Sequence, residues 1–385
     1  MGSHMTIRDI ARLCGVGVST VSRAVNGHPD VNEETRRRIL DCIRQNGFVP
    51  NNSARSLKVS DSRTIALLIK GIANPFFAKM VQTFEEETKR QGYSLVVQHV
   101  RATADEAEEA VSLLREKRLR GLIFLGGYLS HMQERLSTID VPFVLSTISI
   151  ENELPEKLER AGEAVQKPDA KNGAQPRQIS DAETGEIETQ PVQYNQVSVD
   201  DVREAERMTE YLIGMGHRRI AILAADDLDD SVGKLRLCGY GRALKRHHIP
   251  VRSELIRSTK ISEDVYTFEN GYRSTEKLLE SGEEFTAIFA ISDTLAIGAV
   301  KALAVHGLRV PEDISVAGFD GLDLARFYIP SITTLRQPIE EIARETVRIL
   351  FENMNQPDLP KKRLIFPGRI EEGGSVRRIA CAQER

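Results

Sequence analysis

Apolar residues recur at helical spacing near the start of the chain. Residues three and four apart form two stripes, which are Ile7, Ile10, Ala11 and Cys14, and then Val18, Val21 and Val25. Gly15 supplies a turn between them, and Asn26-Gly27 is a stop signal for the second helix. Asn32 is a good N-cap for a third helix that begins with two glutamates. The pattern predicts three short helices between residues 6 and 47.

From residue 63 the pattern changes to apolar runs that alternate with amphipathic stretches. The apolar run at 64–69 is typical of a strand covered on both faces. Strands are predicted at 64–69, 93–100, 121–125, 142–148, 218–224, 286–291, 314–318 and 365–370. Helices are predicted at 76–90, 104–118, 202–215, 239–248, 271–281, 293–306 and 337–349. This alternation indicates an α/β fold with two-lobed, doubly wound parallel sheets, and a cleft between the lobes is a natural ligand site.

Charge is distributed unevenly along the 385 residues. The net charge of −4 argues against nucleic acid, but residues 5–60 carry a net charge of +4 and residues 151–190 carry −5. A basic N-terminal end is suited to a DNA-binding module. The acidic segment 151–191 is rich in Gln, Pro, Gly and Ala, so we expect a flexible insert, with a short helix possible at 155–165.

Several classes of protein are disfavoured by the sequence. It contains neither an apolar run long enough to cross a membrane nor a signal peptide, so we expect a cytoplasmic protein; residues 1–4 resemble an expression-tag remnant. Four scattered cysteines lack metal-ligand spacing, so reduced thiols and no metal are expected. Gly126-Gly127 is a weak glycine signal, and no phosphate loop or hydrolase elbow is present. We therefore expect neither an enzyme nor a bound cofactor.

The first two predicted helices form a helix-turn-helix, the arrangement that inserts its second helix into the major groove. The stretches at 6–11, 15–16 and 20–26 (TIRDIA, GV and TVSRAVN) closely resemble the DNA-binding headpiece of the LacI/GalR family. The resemblance implies that Val18 and Ser19 meet base edges and that Arg23 contacts a guanine. It assigns phosphate contacts to Thr20, Ser22 and Asn26 and includes Thr6 in the interface. Two departures are Gly17, where a serine is usual, and Cys14, where an alanine is usual.

Residues 50–58 (PNNSARSLK) resemble the hinge helix of the same family, although a plain linker is the alternative. The family hinge folds on operator DNA and pairs with its dimer mate in the minor groove. Leu57 would be the wedge that unstacks a base step, with Ala54 packed beside it. Arg55 belongs to the same matching stretch, and Lys58 would add charge near the phosphates.

The resemblance continues over most of the chain and implies an effector site. The effector-binding residues it assigns are Asn74, Phe76, Phe77, Ser146, Arg236, Tyr266, Ser292, Asp293 and Asp320. Asp293 is favoured as a helix N-cap, with Ser292 at the ligand-contact position. For each residue alone, a structural salt bridge or a core role stays open. Ser146 or Thr147 stands where many sugar-sensing members have an aspartate, and Asp230 stands where purine-sensing members have an arginine, which favours a sugar.

Together these features predict a headpiece at 5–50, a hinge at 51–62 and two lobes. The N-terminal lobe would comprise 63–198 and 339–366, and the C-terminal lobe 199–338 and 367–385. The expected function is ligand-responsive repression of carbohydrate-utilisation genes by a homodimer bound to a palindromic operator in double-stranded DNA. Two alternatives remain, a global catabolite regulator with a protein corepressor and an extracytoplasmic sugar-binding protein.

Overall fold

The computed structural model describes residues 6–25, 30–46, 63–101, 104–127, 133–148, 186–187, 192–225, 232–259 and 265–380. The chain divides into two compact units, residues 1–62 and residues 63–385. The first unit contains the predicted headpiece, and the second contains both sheets.

The first unit is the predicted three-helix headpiece. Its helices are α1 (Ile7–Leu13), α2 (Val18–Val25) and α3 (Glu33–Gln45). The Thr6 side chain and Asp9 cap α1 reciprocally, and Asn32 caps α3 as its sequence position predicts. Ile10, Val21 and Ile39 are fully buried, one from each helix, so the three apolar stripes meet in a single core.

The second unit begins with a sheet of seven strands in the order β2-β1-β3-β4-β6-β12-β5. Its strands are β1 (Thr64–Lys70), β2 (Ser94–Val100), β3 (Gly121–Leu125), β4 (Phe143–Ser146), β5 (Glu186–Ile187), β6 (Gln196–Val199) and β12 (Arg363–Phe366). All pairs are parallel except that β5 is antiparallel to β12. The helices packed with this sheet are α4 (Pro75–Arg90), α5 (Glu106–Glu116), α6 (Gln133–Leu136) and α12 (Ile339–Asn355). We call this sheet and its helices the N-terminal lobe.

The C-terminal lobe has a six-stranded sheet in the order β13-β11-β10-β9-β7-β8. Its strands are β7 (Ile220–Ala225), β8 (Ile256–Thr259), β9 (Ala287–Ala290), β10 (Ser315–Asp320), β11 (Thr333–Arg336) and β13 (Arg369–Glu371). Only β13 runs antiparallel. Its helices are α7 (Asp201–Gly214), α8 (Val232–Arg246), α9 (Phe268–Glu280), α10 (Asp293–Val305) and α11 (Asp323–Phe327).

Burial on both faces explains the continuous apolar runs. In β1, Ile65 and Leu67 pack in the cluster that contains α4 and α12, whereas Ala66 and Leu68 pack in the cluster that contains α5. Each strand of this kind is therefore apolar at every position, as expected of a parallel sheet enclosed by helices. Among the described residues, no helix is both long enough and apolar enough to cross a membrane.

The chain crosses between the lobes three times, after β6, after β11 and between β12 and β13. The single strand predicted at 365–370 is wrong, because Pro367 and Gly368 separate β12 in one sheet from β13 in the other. The helix predicted at 239–248 begins seven residues earlier, at Val232, and the helix predicted from 337 begins at Ile339. The four-residue strands β6, β8 and β11 were not predicted.

Candidate functional site

The second helix of the headpiece has one buried face and one polar face. Val21 and Ala24 are buried, while Val18, Ser19 and Arg23 are exposed. Thr20 and Ser22 are half-buried. The α2 face thus presents short polar side chains and one guanidinium group to a partner, as a recognition helix does.

Arg23 and Thr6, both predicted to contact DNA, have intramolecular partners. The Arg23 Nη1 lies 3.0 Å from the Asp30 Oδ2, and both side chains are about half exposed. Thr6 is exposed, and its hydroxyl donates to the Asp9 carboxylate at 2.6 Å. Binding DNA through Arg23 requires exchange of an exposed ion pair, which is energetically inexpensive. Asn26, Ala54, Arg55, Leu57 and Lys58 lie outside the described residues, as do Asp230 and all of the acidic insert except 186–187.

A cavity lies between the two lobes at the carboxyl ends of their strands. It contains about 810 Å³ of space, part of it open to solvent. The described residues that line it are Lys70, Gly71, Asn74, Phe76, Phe77, Gly126, Gly127, Thr147, Val199, Asp201, Val232, Arg236, Val265, Tyr266, Asp320 and Gln337. The position of the cavity, at the carboxyl ends of parallel strands, is that of a small-molecule site in an α/β protein.

The N-terminal lobe contributes an aromatic wall and a buried cation. Phe76 and Phe77 pack edge to face at 5.4 Å between ring centroids, at the start of α4. Asn74 caps this helix by accepting from the Phe76 N–H at 3.1 Å, so the Asn-Pro sequence positions both rings. The Lys70 ammonium lies 2.9 Å from the Glu106 carboxylate, and both side chains are buried.

The C-terminal lobe contributes a buried ionic network centred on Arg236. Its Nε donates to Asp201 at 2.8 Å, and its Nη1 donates to the Ile291 carbonyl at 2.6 Å and to Asp320 at 3.3 Å. The guanidinium also stacks 3.8 Å above the Phe319 ring centroid. The two aspartates raise the pKa of Arg236 against the opposing effect of burial. Arg236 therefore lines the cavity, where the predicted effector contact would lie, and also forms a structural ion pair.

Asp320 ends β10 in a left-handed conformation, with φ of 112°, and its carboxylate accepts from the Gln337 amide at 2.8 Å. Burial raises the pKa of Asp320 to about 7, although the charge of Arg236 opposes the shift. Behind it, burial and the charge of Asp320 raise the pKa of Asp293 to about 8. This part of the site thus concentrates carboxyl groups that accept hydrogen bonds.

Thr147 follows β4 and points its hydroxyl into a buried position, where it has no hydrogen-bond partner among the described residues. Its φ of 57° is unusual for a β-branched residue. The neighbouring Ser146 is fully buried and bonds the Thr346 hydroxyl at 3.0 Å. Thr147 lines the cavity and Ser146 does not.

Ser292 and Asp293 are also absent from the cavity wall. The predicted N-cap is wrong, because Ser292 caps α10 by accepting from the Leu295 N–H, and Asp293 is the first helical residue. The Asp293 carboxylate accepts from the Leu322 N–H and the Thr334 hydroxyl, both at 2.6 Å. It therefore fixes the turn that follows β10.

Sequence reasoning missed three polar residues of the cavity. Lys70 ends an apolar strand, Asp201 begins a helix, and Gln337 was placed inside the C-terminal helix. Asp201 and Gln337 follow two of the crossings between the lobes, so only the fold brings them beside Arg236 and Asp320. Acidic residues are common in the first turn of a helix, so no local signal identified Asp201 as part of the site.

Comparison with known proteins agrees with this architecture. Residues 6–51 match the lacI family of bacterial regulatory proteins, and residues 209–376 match the periplasmic binding protein-like domain. The chain is 36% identical to the HTH-type transcriptional regulator MalR of Clostridium butyricum, covering 96% of this chain and 99% of MalR. It is 30% identical to catabolite control protein A of Priestia megaterium, covering 96% and 98%.

Solved structures show the same fold over nearly the full length. The transcriptional regulator CelR in complex with cellobiose is 25% identical with a TM-score of 0.63, covering 96% of this chain and 99% of CelR. The Lac repressor bound to ONPG is 24% identical with a TM-score of 0.70, covering 97% and 100%. With its helix-turn-helix headpiece and two-lobed core, the chain is a DNA-binding transcriptional regulator, and it belongs to the lacI family of bacterial regulatory proteins.

Proposed function

We propose that this regulator is a repressor whose affinity for a palindromic operator is controlled by a neutral saccharide bound between the lobes. The observation that carries the proposal is the pairing of charges in the cavity. Lys70 is paired with Glu106, and Arg236 is paired with Asp201 and Asp320. An anionic ligand would have to displace these partners, whereas sugar hydroxyls donate to carboxylates and accept from N–H groups without adding charge.

The apolar part of the cavity also suits a sugar. Phe76, Phe77 and Tyr266 provide aromatic surface for the C–H faces of a pyranose ring. The Thr147 hydroxyl, which has no partner among the described residues, would supply one further hydrogen-bonding group once a rotation of the side chain turns it towards the ligand. The bound cellobiose of CelR supports the same class of ligand.

Contacts with both lobes provide a way to control the headpiece. A ligand that touches Phe77 and Asp320 together makes its full set of contacts at only one relative orientation of the lobes. The chain enters the N-terminal lobe from the predicted hinge at 51–62, so reorientation of this lobe changes the spacing of two hinges in a dimer. That spacing determines whether both Leu57 wedges fold into the minor groove together.

A homodimer is part of the proposal because a palindrome presents two equivalent half-sites. Leu324, Phe327 and Ile329 lie on or just after α11 and are 46%, 77% and 90% exposed. Exposure of three large apolar side chains within six residues to water is energetically unfavourable for an isolated chain. A second copy of the chain would cover them.

The proposal that the ligand is a neutral saccharide is tested by thermal melting and calorimetry of the full chain. The probes are cellobiose, maltose, glucose, glucose 6-phosphate and adenine. We expect at least one neutral sugar to raise the melting temperature, since a ligand at a hundred times its Kd adds about 2.7 kcal/mol to stability. Binding of only the phosphorylated sugar or only the purine would contradict the proposal.

A further inference from the structure

The headpiece carries two cysteines that its DNA-binding face does not use. Cys14 follows the end of α1, and Cys42 lies on α3. Cys14 belongs to the buried cluster formed by Ile10 and Val21, and Cys42 is half-buried against the same cluster. The two side chains therefore reach one small core, Cys14 from the end of α1 and Cys42 from α3.

Specific contacts hold the two helices at this point. The Arg38 Nη2 on α3 donates to the Cys14 carbonyl at 3.3 Å, and Cys42 lies one turn further along the same face of α3. Cys42 packs against the cluster that contains Cys14, and both are free cysteines. Burial raises the pKa of Cys14, and the neighbouring Cys42 raises it further. Cys42 is the more exposed thiol, so an oxidant reaches it first.

We propose that Cys14 and Cys42 form a reversible disulfide in the presence of hydrogen peroxide, and that the oxidised headpiece binds operator DNA more weakly. This inference rests on operator binding by the headpiece. The Cys42 thiolate attacks peroxide and breaks the O–O bond, which gives a sulfenic acid and one water. The Cys14 thiolate then attacks the Cys42 sulfur and displaces hydroxide, which leaves as a second water after protonation. The two thiols lose two electrons and peroxide gains them; an added dithiol reverses the reaction.

The position of the disulfide explains why it would weaken binding to operator DNA. Joining two sulfurs covalently draws α3 towards the end of α1, immediately before the turn at residues 15–17 that leads into α2. The recognition helix packs on this core through Val21 and Ala24, and a close-packed core transmits the displacement. We expect operator affinity to fall about tenfold, equivalent to the loss of one base contact.

The test uses the full chain with Cys238→Ser and Cys381→Ser, which leaves only the two headpiece thiols. The DNA probe is the palindromic duplex that the reduced protein selects from a random library. After peroxide, digestion without reductant should give a linked Cys14–Cys42 peptide that has lost two hydrogens. Operator affinity should fall about tenfold and recover fully with dithiothreitol.

Cys42→Ser and Cys14→Ala in the same background are the matched controls. Each should bind the duplex like the reduced parent and keep this affinity after peroxide, with thermal melts reporting whether the variants fold. A linked peptide without a change in affinity, an equal loss of affinity in Cys42→Ser, or the absence of a linked peptide would each overturn the inference. Failure of the reduced protein to select any palindrome would instead count against operator binding.

Discussion

At the residue scale, the cavity wall and the internal support of the C-terminal lobe share side chains. Arg236 contacts two buried aspartates and a backbone carbonyl, so truncating it would leave two carboxylates without their cation. Loss of one partner from a buried pair costs about 3–5 kcal/mol of stability. An alanine at Arg236 therefore reports on folding as much as on ligand binding, and Thr147 offers a cleaner test.

Thr147→Val removes a hydroxyl and keeps the shape of the side chain. Because the Thr147 Oγ1 has no hydrogen-bond partner in the part of the chain that the structure describes, we expect the melting temperature of the free protein to stay the same or rise. Saccharide binding should weaken by about 0.5–1.5 kcal/mol, the net value of one neutral hydrogen bond. Calorimetry of Thr147→Val beside Thr147→Ser checks this, since serine keeps the hydroxyl and should bind like the parent. Equal affinity of the valine variant would remove Thr147 from the site.

The burial of His217 leads to a prediction of how the free energy of unfolding depends on pH. It is fully buried, its Nε2 donates to the Arg377 carbonyl, and burial lowers its pKa below the ordinary 6.5. Below pH 6.5 the unfolded chain binds a proton that the folded chain does not, so stability falls as pH falls, by up to about 1.4 kcal/mol per pH unit.

The measurement is urea unfolding of the wild type and His217→Gln between pH 8 and pH 5. Because glutamine does not titrate, the stability advantage of the wild type should shrink as the pH falls below 6.5. An advantage that is constant over this range would mean that His217 is protonated equally in both states.

At the scale of elements, close helix packing places the charged residues of the site. A Cβ on Gly239 of α8 would lie 2.2 Å from the Val202 carbonyl oxygen on α7, so the two backbones are in contact there. This contact brings Arg236 of α8 beside Asp201 of α7. Gly271 and Gly298 produce the same arrangement between α9 and α10.

Gly239→Ala should therefore destabilise the protein by several kcal/mol, because the added methyl group has no space. Gly241→Ala is the matched control on the same helix, since no atom of the described residues lies within 4 Å of its added Cβ. Alanine there should stabilise by about 0.5–1 kcal/mol through helix propensity. Thermal melts of both variants decide the matter; similar melting temperatures would show that α7 and α8 can separate at little cost.

Hydrophobic periodicity predicted the long elements well and the short ones poorly. Strand β1 and helix α10 are long, buried and flanked by glycine or capping residues, so their limits could be predicted from sequence. Strands β6 and β11 have four residues each and owe their conformation to neighbouring strands. The cavity residues were likewise predictable only where the local sequence identified them. Arg236 and Asp320 lay in recognisable motifs, whereas Gln337 contacts Asp320 only through tertiary structure.

At the scale of the whole molecule, the exposed apolar surface on α11 is expected to join two copies. Phe327→Asp should convert a dimer into a monomer, because burial of a charge opposite an apolar partner is strongly unfavourable. Val305→Asp is the control, since Val305 is 56% exposed on α10, outside this segment. Sedimentation of both variants measures their oligomeric state: Phe327→Asp should be a monomer and Val305→Asp a dimer. A dimeric Phe327→Asp protein would place the interface elsewhere.

The proposed control of DNA binding by the cavity would couple the two units of the chain. Ligand and operator must affect each other's binding by the same factor, because the coupling free energy belongs to the pair. The coupling is typically about 1–3 kcal/mol, so a factor of roughly 5–150 is expected. This factor requires a ligand that binds both lobes together, as a saccharide between Phe77 and Asp320 would.

The most direct test is titration of the selected palindromic duplex with full-length protein, with and without a saturating concentration of the neutral sugar that binds in the thermal screen. We predict that operator affinity changes by roughly 5–150-fold and that the duplex changes sugar affinity by the same factor. A sugar whose affinity falls in Thr147→Val, and which therefore occupies the cavity, but which leaves operator affinity unchanged would contradict ligand-controlled repression.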